Sequence, residues 1–154
     1  DYLMTSRKFP SRVTGIADTP EALIEIHRHF GCLVTGATLG RDGALAWDGA
    51  SFHYCPGFCV EAIDTTGAGD IFHAAFAFAL LEGHSLDQIL EFACAAAALN
   101  CTALGARGGI RPVSGIRQFM REGRRHPAVF DGQRLHTSAP RGSAKSANRP
   151  SSNG

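Results

Sequence analysis

Apolar and polar residues alternate along the chain with two different periods, one typical of strands and one typical of helices. Short apolar runs at residues 2–5 and 32–38 are typical of buried strands. Between them, apolar residues at helical spacing predict a helix with Thr19 as N-cap and Pro20 at its first position, ending at Gly31. The first third of the chain therefore reads as strand, helix, strand.

A hairpin is the next predicted unit. Apolar residues in 44–47 and 51–55 flank the pair Asp48 and Gly49, which favours a tight two-residue turn between two antiparallel strands. A strand, helix and strand followed by a hairpin is the order of an α/β fold, in which part of the sheet is parallel.

Three segments with helical spacing follow, at residues 69–81, 85–104 and 113–123. The second opens at Ser85, which is spaced to form a capping box with Gln88. From residue 132 onward small, polar and basic residues replace the apolar periodicity, and such a segment cannot bury enough surface to offset its ordering entropy. The sequence thus predicts a folded part, residues 1–131, and a disordered basic tail, residues 132–154.

Charge and cysteine content narrow the class of protein. The tail carries four basic residues and no acid, so without it the net charge of +1 becomes mildly negative, which argues against a nucleic-acid partner. No apolar run is long enough to span a bilayer, and no secretory signal is visible. The five cysteines are an odd number and lack the spacing of a zinc site, so we expect them to be reduced thiols. We therefore expect a cytoplasmic protein without a membrane partner.

The clearest chemistry lies in residues 64–70, Asp-Thr-Thr-Gly-Ala-Gly-Asp, directly before an apolar helix. The small residues Gly67, Ala68 and Gly69 let the backbone approach a ligand closely, and free amides at a helix start favour phosphate. Asp70 would repel phosphate there unless it accepts a proton from a hydroxyl that attacks a phosphoryl group. The alternative is that Asp70 only caps the helix and the glycines only permit a turn.

Several motifs together resemble the PfkB family of ribokinase-like sugar kinases. The string DTTGAGD before an apolar helix resembles the second signature of that family. Residues 38–43, T-L-G-R-D-G, resemble its turn along ATP, and residues 92–98 resemble its helix beneath the adenine. Residues 101–110 are similar to its C-T-R-x-G-x-R-x-G-I segment, with Ala103 in place of Arg. The resemblance covers about residues 1–123 and implies a three-layer αβα ribokinase-like fold, here only its C-terminal nucleotide-binding portion.

The resemblance also implies a role for each matching position. Asp70 is expected to be the catalytic base, and Gly67, Ala68 and Gly69 to form, with the Asp70 amide, the anion hole for the γ-phosphate. The expected nucleotide contacts are Thr38, Gly40, Gly43, Gly69 and Cys94, the last at a position where relatives often have Asn or His. Potassium, if bound, would lie among Asp64, Thr66, Asn100, Ala103, Gly105 and Gly109, mostly on backbone carbonyls. The alternative for Asp64 is a turn residue that bonds its own backbone.

The implied activity is transfer of the γ-phosphoryl group of ATP to a hydroxyl of a sugar or sugar acid, with Mg²⁺ accompanying the nucleotide. Family members are longer, and their N-terminal half supplies most sugar contacts, which nothing in this chain resembles. We therefore expect the chain alone to bind nucleotide weakly and to phosphorylate nothing well. A homodimeric parent enzyme is a further expectation.

Three other functions stay open at this point. One is a nucleoside or hydroxymethylpyrimidine kinase of the same superfold, and another is a non-catalytic fragment that acts through protein contacts. A dinucleotide-binding oxidoreductase would need G-x-G-x-x-G after the first strand, whereas residues 67–72 end in Phe.

Overall fold

The computed structural model describes residues 1–130, which form one mixed sheet with helices around it. The sheet has the strand order β1-β2-β3-β4, with strands at Tyr2–Ser6, Val34–Thr38, Ala44–Trp47 and Phe52–Cys55. Helices α1 to α5 lie at Phe9–Thr14, Thr19–Phe30, Ala68–Leu81, Leu86–Asn100 and Val113–Glu122. Strands β1 and β2 pair in parallel and the other neighbours pair antiparallel, so the predicted partly parallel sheet is confirmed. The predicted tail, residues 132–154, lies outside the described residues.

Strand β3 shows why helices lie on both faces of the sheet. Its side chains alternate in direction, as in any strand. Ala44 and Ala46 belong to the core formed with α3 and α4, whereas Leu45 and Trp47 belong to a second core with Leu23 of α2. All four β3 side chains are buried, because a helical layer covers each face. The expected three-layer αβα arrangement is therefore present.

Helix α2 begins one residue earlier than predicted. The N-cap is Asp18, whose Oδ1 accepts a 2.9 Å hydrogen bond from the amide of Glu21, and Thr19 is the first helical residue. The prediction of Thr19 as the cap was wrong, because the preceding carboxylate is an equally suitable acceptor and also faces the positive end of the helix dipole. The predicted stop is confirmed, since Gly31 adopts a left-handed conformation with φ of 65°.

Helix α4 has the predicted start but a shorter extent. The capping box of Ser85 and Gln88 is formed. The helix ends at Asn100 rather than Leu104, because the fully buried Asn100 side chain bonds a returning segment of chain. Its Nδ2 donates to the carbonyl of Ala106 at 3.1 Å, and its Oδ1 accepts from the amide of Gly109 at 3.3 Å. The chain therefore turns immediately after Asn100.

The hairpin between β3 and β4 has a four-residue loop, residues 48–51, instead of the predicted two-residue turn. Trp47 pairs with Phe52 at its base. Asp48 holds the loop, since its Oδ1 accepts hydrogen bonds from the amides of Ala50 at 2.8 Å and Ser51 at 2.7 Å. An aspartate that bonds its own backbone this way stabilises a wider loop than the Asp-Gly pair alone suggests.

Two further features were not predicted. Helix α1 follows β1 directly, and residues after α5 return to the sheet region, where Arg125 forms an isolated antiparallel bridge with Phe58. Across residues 1–130, every helix is too short or too polar to cross a membrane.

Candidate nucleotide site

A cleft of about 550 Å³ opens between several parts of the chain. Its walls include the turn directly after β2, the segment 57–62 that follows the hairpin, the start of α3, and helix α4. Every predicted nucleotide contact lines this cleft: Thr38, Gly40, Gly43, Gly69 and Cys94. Ala68, predicted as part of the anion hole, lines it as well. The volume lies within the range of clefts that hold small organic ligands. The fold thus gathers residues from five separate segments, the fifth represented by His126, around one ligand-sized space.

Gly67 sets the entry of the loop into helix α3. It is the N-cap residue and has a left-handed backbone with φ of 75°. A Cβ added to Gly67 would lie 2.6 Å from the carbonyl oxygen of Ala106, far inside van der Waals contact. Glycine is required here for two separate reasons, because other residues strain at this φ and because no side chain fits.

Three amides at the start of α3 have no hydrogen-bond acceptor within residues 1–130, namely those of Gly67, Gly69 and Asp70. The amide of Ala68 donates to the carbonyl of Thr65 at 3.2 Å, so it is already engaged in a turn. Free amides at a helix start carry the positive end of the helix dipole, which favours an anion. Gly69, which also lines the cleft, offers such an amide to a ligand there.

Asp70 is the third residue of α3 and is exposed to solvent. It is not the helix cap, since Gly67 occupies that position. Asp70 does not line the cleft itself but follows Gly69, which does. Asp70 is therefore a solvent-exposed residue of the first turn of α3, next in sequence to a residue that lines the cleft.

The positions predicted for potassium lie together, where the loop meets the turn after α4. Asp64 accepts hydrogen bonds from the amides of Thr66 and Gly105, both at 2.9 Å. The pKa of Asp64 is lowered below its ordinary value, mainly by hydrogen bonds from Thr66 and to a smaller extent by the one from the Gly105 amide. Asp64 thus does act on its own backbone, as the alternative for this residue supposed, and it also ties the loop to a distant turn.

The side chain of Asn100 also contacts both the loop and the turn after α4. Its Nδ2 lies 3.4 Å from the carbonyl oxygen of Thr66, and its Oδ1 accepts from Gly109. Ala103 lies in the turn between Asn100 and Gly105, so all six predicted positions occupy one neighbourhood. Carboxylate and carbonyl oxygens at such a junction are hard donors of the type that alkali cations accept.

Cys94 lies on the apolar wall of the cleft, on helix α4. Its hydrogen bond with Cys55, together with burial, raises the pKa of the Cys94 thiol well above its ordinary value. For Cys55 the direction is opposite: the hydrogen bond with Cys94 and the nearby Arg125 guanidinium lower the pKa of the Cys55 thiol despite its burial. Cys94 therefore presents a neutral thiol, a weak hydrogen-bonding group, to a ligand.

Eleven further residues line this cleft. Five of them lie within the quoted motifs but were not singled out as contacts: Arg41, Thr65, Ala97, Ala98 and Cys101. The sequence analysis did not predict the other six: Gly57, Phe58, Val60, Ala62, Phe72 and His126. Gly57 carried a usable signal, as an isolated glycine just after a strand that marks a close backbone approach. A Cβ on Gly57 would lie 2.2 Å from the carbonyl oxygen of Arg41. His126 carried no signal, because it follows the last predicted helix.

Known proteins resemble this chain in both sequence and structure. A ribokinase of Bacillus subtilis (strain 168) is 47% identical over 73 residues, which are 47% of this chain and 25% of that protein. The chain thus spans about a quarter of the length of the curated relatives it matches first.

The structural neighbours have the ribokinase fold. A ribokinase from Thermotoga maritima has a TM-score of 0.71 and 33% identity, with 79% of this chain and 42% of that chain covered. An E. coli neighbour solved in complex with ATP and Mg²⁺ has a TM-score of 0.74, but at 24% identity it shows the fold alone, over 79% of this chain and 39% of that one. Residues 5–112 match the pfkB family of carbohydrate kinases. The chain therefore belongs to that family.

Proposed function

We propose that the intact protein is an ATP-dependent kinase that transfers the γ-phosphoryl group of ATP to a hydroxyl of a sugar or sugar acid. This chain supplies its nucleotide cleft and its catalytic loop. The observation that carries the proposal is the start of α3. There the amides of Gly69 and Asp70 have no acceptor among residues 1–130, and the exposed Asp70 directly follows Gly69, which lines the cleft.

In this proposal the loop amides receive the phosphoryl group as it moves. Phosphoryl transfer spreads negative charge over the equatorial oxygens of the transferred group, so fixed donors aimed at those oxygens lower the barrier. Gly67 holds the chain in its left-handed turn, which points the following amides outward from the helix. Donors that are already oriented need no reorganisation during the reaction.

Asp70 acts as the base in this proposal. Its carboxylate would accept the proton of the attacking hydroxyl while the new phosphorus–oxygen bond forms and the bond to the ADP leaving group breaks. A carboxylate beside an anion site opposes binding, so it needs a compensating role, and proton acceptance supplies one. The exposure of Asp70 leaves room for an acceptor sugar on that side.

Magnesium fits this site through the nucleotide. When bound, Mg²⁺ neutralises charge on the β- and γ-phosphates. Residues 1–130 hold no cluster of three or more His, Cys, Asp or Glu side chains arranged for a metal. Phosphate oxygens and water would then be its main ligands, as is common for this ion.

Potassium fits the junction of the loop with the turn after α4. Asp64 and the carbonyl of Thr66 would hold it on the loop side. Carbonyls of Asn100, Ala103, Gly105 and Gly109 would contribute from the end of α4 and the turn after it. Both Asp64 oxygens already accept amide hydrogens, so a cation there would use their remaining lone pairs. A cation at this place would fix the direction of the loop amides.

The acceptor class rests on the family. The ribokinase relatives are named for a sugar substrate, but the match covers only about a quarter of their length. The test is phosphoryl transfer by the intact protein from ATP to a panel of sugars, sugar acids, nucleosides and hydroxymethylpyrimidine. Turnover of a sugar or sugar acid supports the proposal. Turnover of only the nucleosides or the pyrimidine supports the other kinase class, and turnover of none contradicts both.

A further inference from the structure

The chain returns to the cleft after its last helix, in residues 124–130, here called the return segment. The Cys59 amide donates to the carbonyl of Arg124 at 2.8 Å, and the His126 amide donates to the carbonyl of Gly57 at 2.8 Å. These two bonds flank the antiparallel bridge of Phe58 with Arg125, so the segment pairs with the wall of the cleft as a short strand does.

The Arg125 side chain anchors the return segment. Its guanidinium carbon lies 3.5 Å from the centre of the Phe58 ring, a cation–π contact. It donates to the Cys55 thiol at 3.2 Å and to the Pro56 carbonyl at 3.4 Å, and it forms an ion pair with Glu91 on α4. Because these partners lie on different elements, the anchor fixes the segment against both the sheet and the helix.

Tyr54 fixes the far end of the segment. Its hydroxyl accepts a 3.2 Å hydrogen bond from the Val129 amide, and its ring packs edge-on against Phe130 at 5.3 Å between centroids. The return segment is thus held at three points along its length.

The anchored segment brings His126, which is half-buried, to the lining of the cleft. Its location within the cleft follows from the anchor, in which Arg125 forms an ion pair with Glu91 on α4. Glu91 precedes Asn100 by nine residues of α4, which is about 14 Å along the helix axis. Since Asn100 contacts the phosphate loop, His126 lies toward the opposite end of the cleft.

That end of the cleft suits a flat aromatic group rather than a phosphate. Phe58, which stacks on the Arg125 anchor, and Cys94 give it apolar walls. The imidazole of His126 adds an aromatic face with polar edges, the kind of side chain on which nucleic-acid bases stack. We propose that His126 contacts the base of the bound nucleotide, an inference that rests on the proposed function.

The family match ends at residue 112, before the return segment begins. The contact would therefore be a property of this chain's own C-terminal part, added to the machinery that the matched residues supply. Nucleotide preference would then depend partly on a segment that the family match does not include.

Equilibrium binding to the intact protein tests this proposal, with adenosine, ATP and inorganic tripolyphosphate as separate ligands in calorimetry. His126→Ala is expected to raise the Kd of adenosine and ATP roughly fivefold or more, the usual size of a lost base-stacking contact. The Kd of tripolyphosphate should stay unchanged. His29→Ala, at an exposed histidine of α2, is the matched control and should change none of the three.

His126→Phe keeps an aromatic face and should retain most of the adenosine affinity, which also guards against a misfolded alanine variant. Unchanged adenosine binding in His126→Ala would overturn the proposal, and so would an equal loss of tripolyphosphate binding. If the unmodified protein binds tripolyphosphate but neither ATP nor adenosine, the base contact fails and the anion site stands. If it binds none of the three, the proposed function fails as well.

Discussion

The Oδ2 atom of Asp64 accepts a 2.9 Å hydrogen bond from the amide of Gly105, a residue 41 positions later in the chain. Its other carboxylate oxygen accepts from Thr66. One half-buried residue therefore holds both the start of the phosphate loop and the turn that follows α4. The loop is positioned by contacts across the fold as well as by its own glycines.

Replacing Asp64 with Asn should loosen this junction. An amide side chain offers one acceptor oxygen instead of two, so one of the two backbone donors loses its partner. We expect faster exchange of the Gly105 amide with solvent deuterium in Asp64→Asn, with amides of β3 unchanged. Equal protection of the Gly105 amide in both proteins would mean that Asp64 does not hold the turn.

Monovalent cations should tune turnover through the same junction. Potassium is expected to raise kcat of the intact enzyme above its value in sodium or in a bulky organic cation at equal ionic strength. Screening is the same in the three salts, so it cannot produce the difference. Asp64→Asn should lose most of this response and keep residual turnover. The same rate for the unmodified enzyme in all three salts would exclude the cation site.

Gly67 and Gly83 allow strain to be separated from steric clash. Both have left-handed backbones, with φ of 75° and 77°, but an added Cβ meets Ala106 at Gly67 and meets nothing within 4 Å at Gly83. Gly83→Ala should lower the free energy of unfolding by about 1–2 kcal/mol, the cost of the conformation alone. Gly67→Ala should cost clearly more, measured by urea unfolding. Equal losses of unfolding free energy in the two variants would show that the phosphate loop can move away from Ala106 at no energetic cost.

His53 should make the stability of the hairpin depend on pH. Burial lowers its pKa, but hydrogen bonds to Asp87 at 2.8 Å and Asp48 at 3.1 Å outweigh burial, so the pKa of His53 is raised. Because the pKa of His53 is higher in the folded state, protonated His53 stabilises the fold. This stabilisation is fully present below about pH 6.5, the unfolded pKa, and is lost as pH rises through the folded pKa. Urea unfolding across this window should show the loss.

The matching variant is His53→Gln, in which this part of the pH dependence should disappear. His29→Ala, at an exposed histidine, should retain it. A pH dependence that survives His53→Gln would assign it to another group. On the acid side, burial raises the pKa of Asp48, but hydrogen bonds from the Ser51 and Ala50 amides and from His53 outweigh burial and lower it. The contribution of Asp48 to stability is therefore present above about 3.9 and falls as pH drops through its folded pKa.

The sequence predicted the elements that repeat a local pattern and missed those that depend on distant partners. The capping box at Ser85 and the stop at Gly31 are local, and both are present. The end of α4 was misjudged, because alanine-rich sequence favours continuing the helix, while the buried Asn100 bonds to residues that only the fold brings near.

The same distinction holds for the site. The nucleotide positions could be predicted because each lies in one of three local motifs, and the fold gathers these motifs around one cleft. His126 could not be predicted, because its place depends on Arg125 reaching Phe58 and Glu91 from a segment without periodic pattern. The sequence likewise could not show that the amides of Gly69 and Asp70 lack an acceptor among residues 1–130, because that depends on how the loop folds.

The activity of Asp70→Asn tests the central claim most directly. Steady-state kinetics of the intact enzyme, with saturating ATP and its best acceptor, should show kcat lowered by about 10²–10⁴, the usual contribution of a general base. Nucleotide affinity, measured separately by calorimetry, should stay nearly unchanged, because the loop amides remain in place. A variant that keeps more than half of the activity would contradict the assignment of Asp70 as the base.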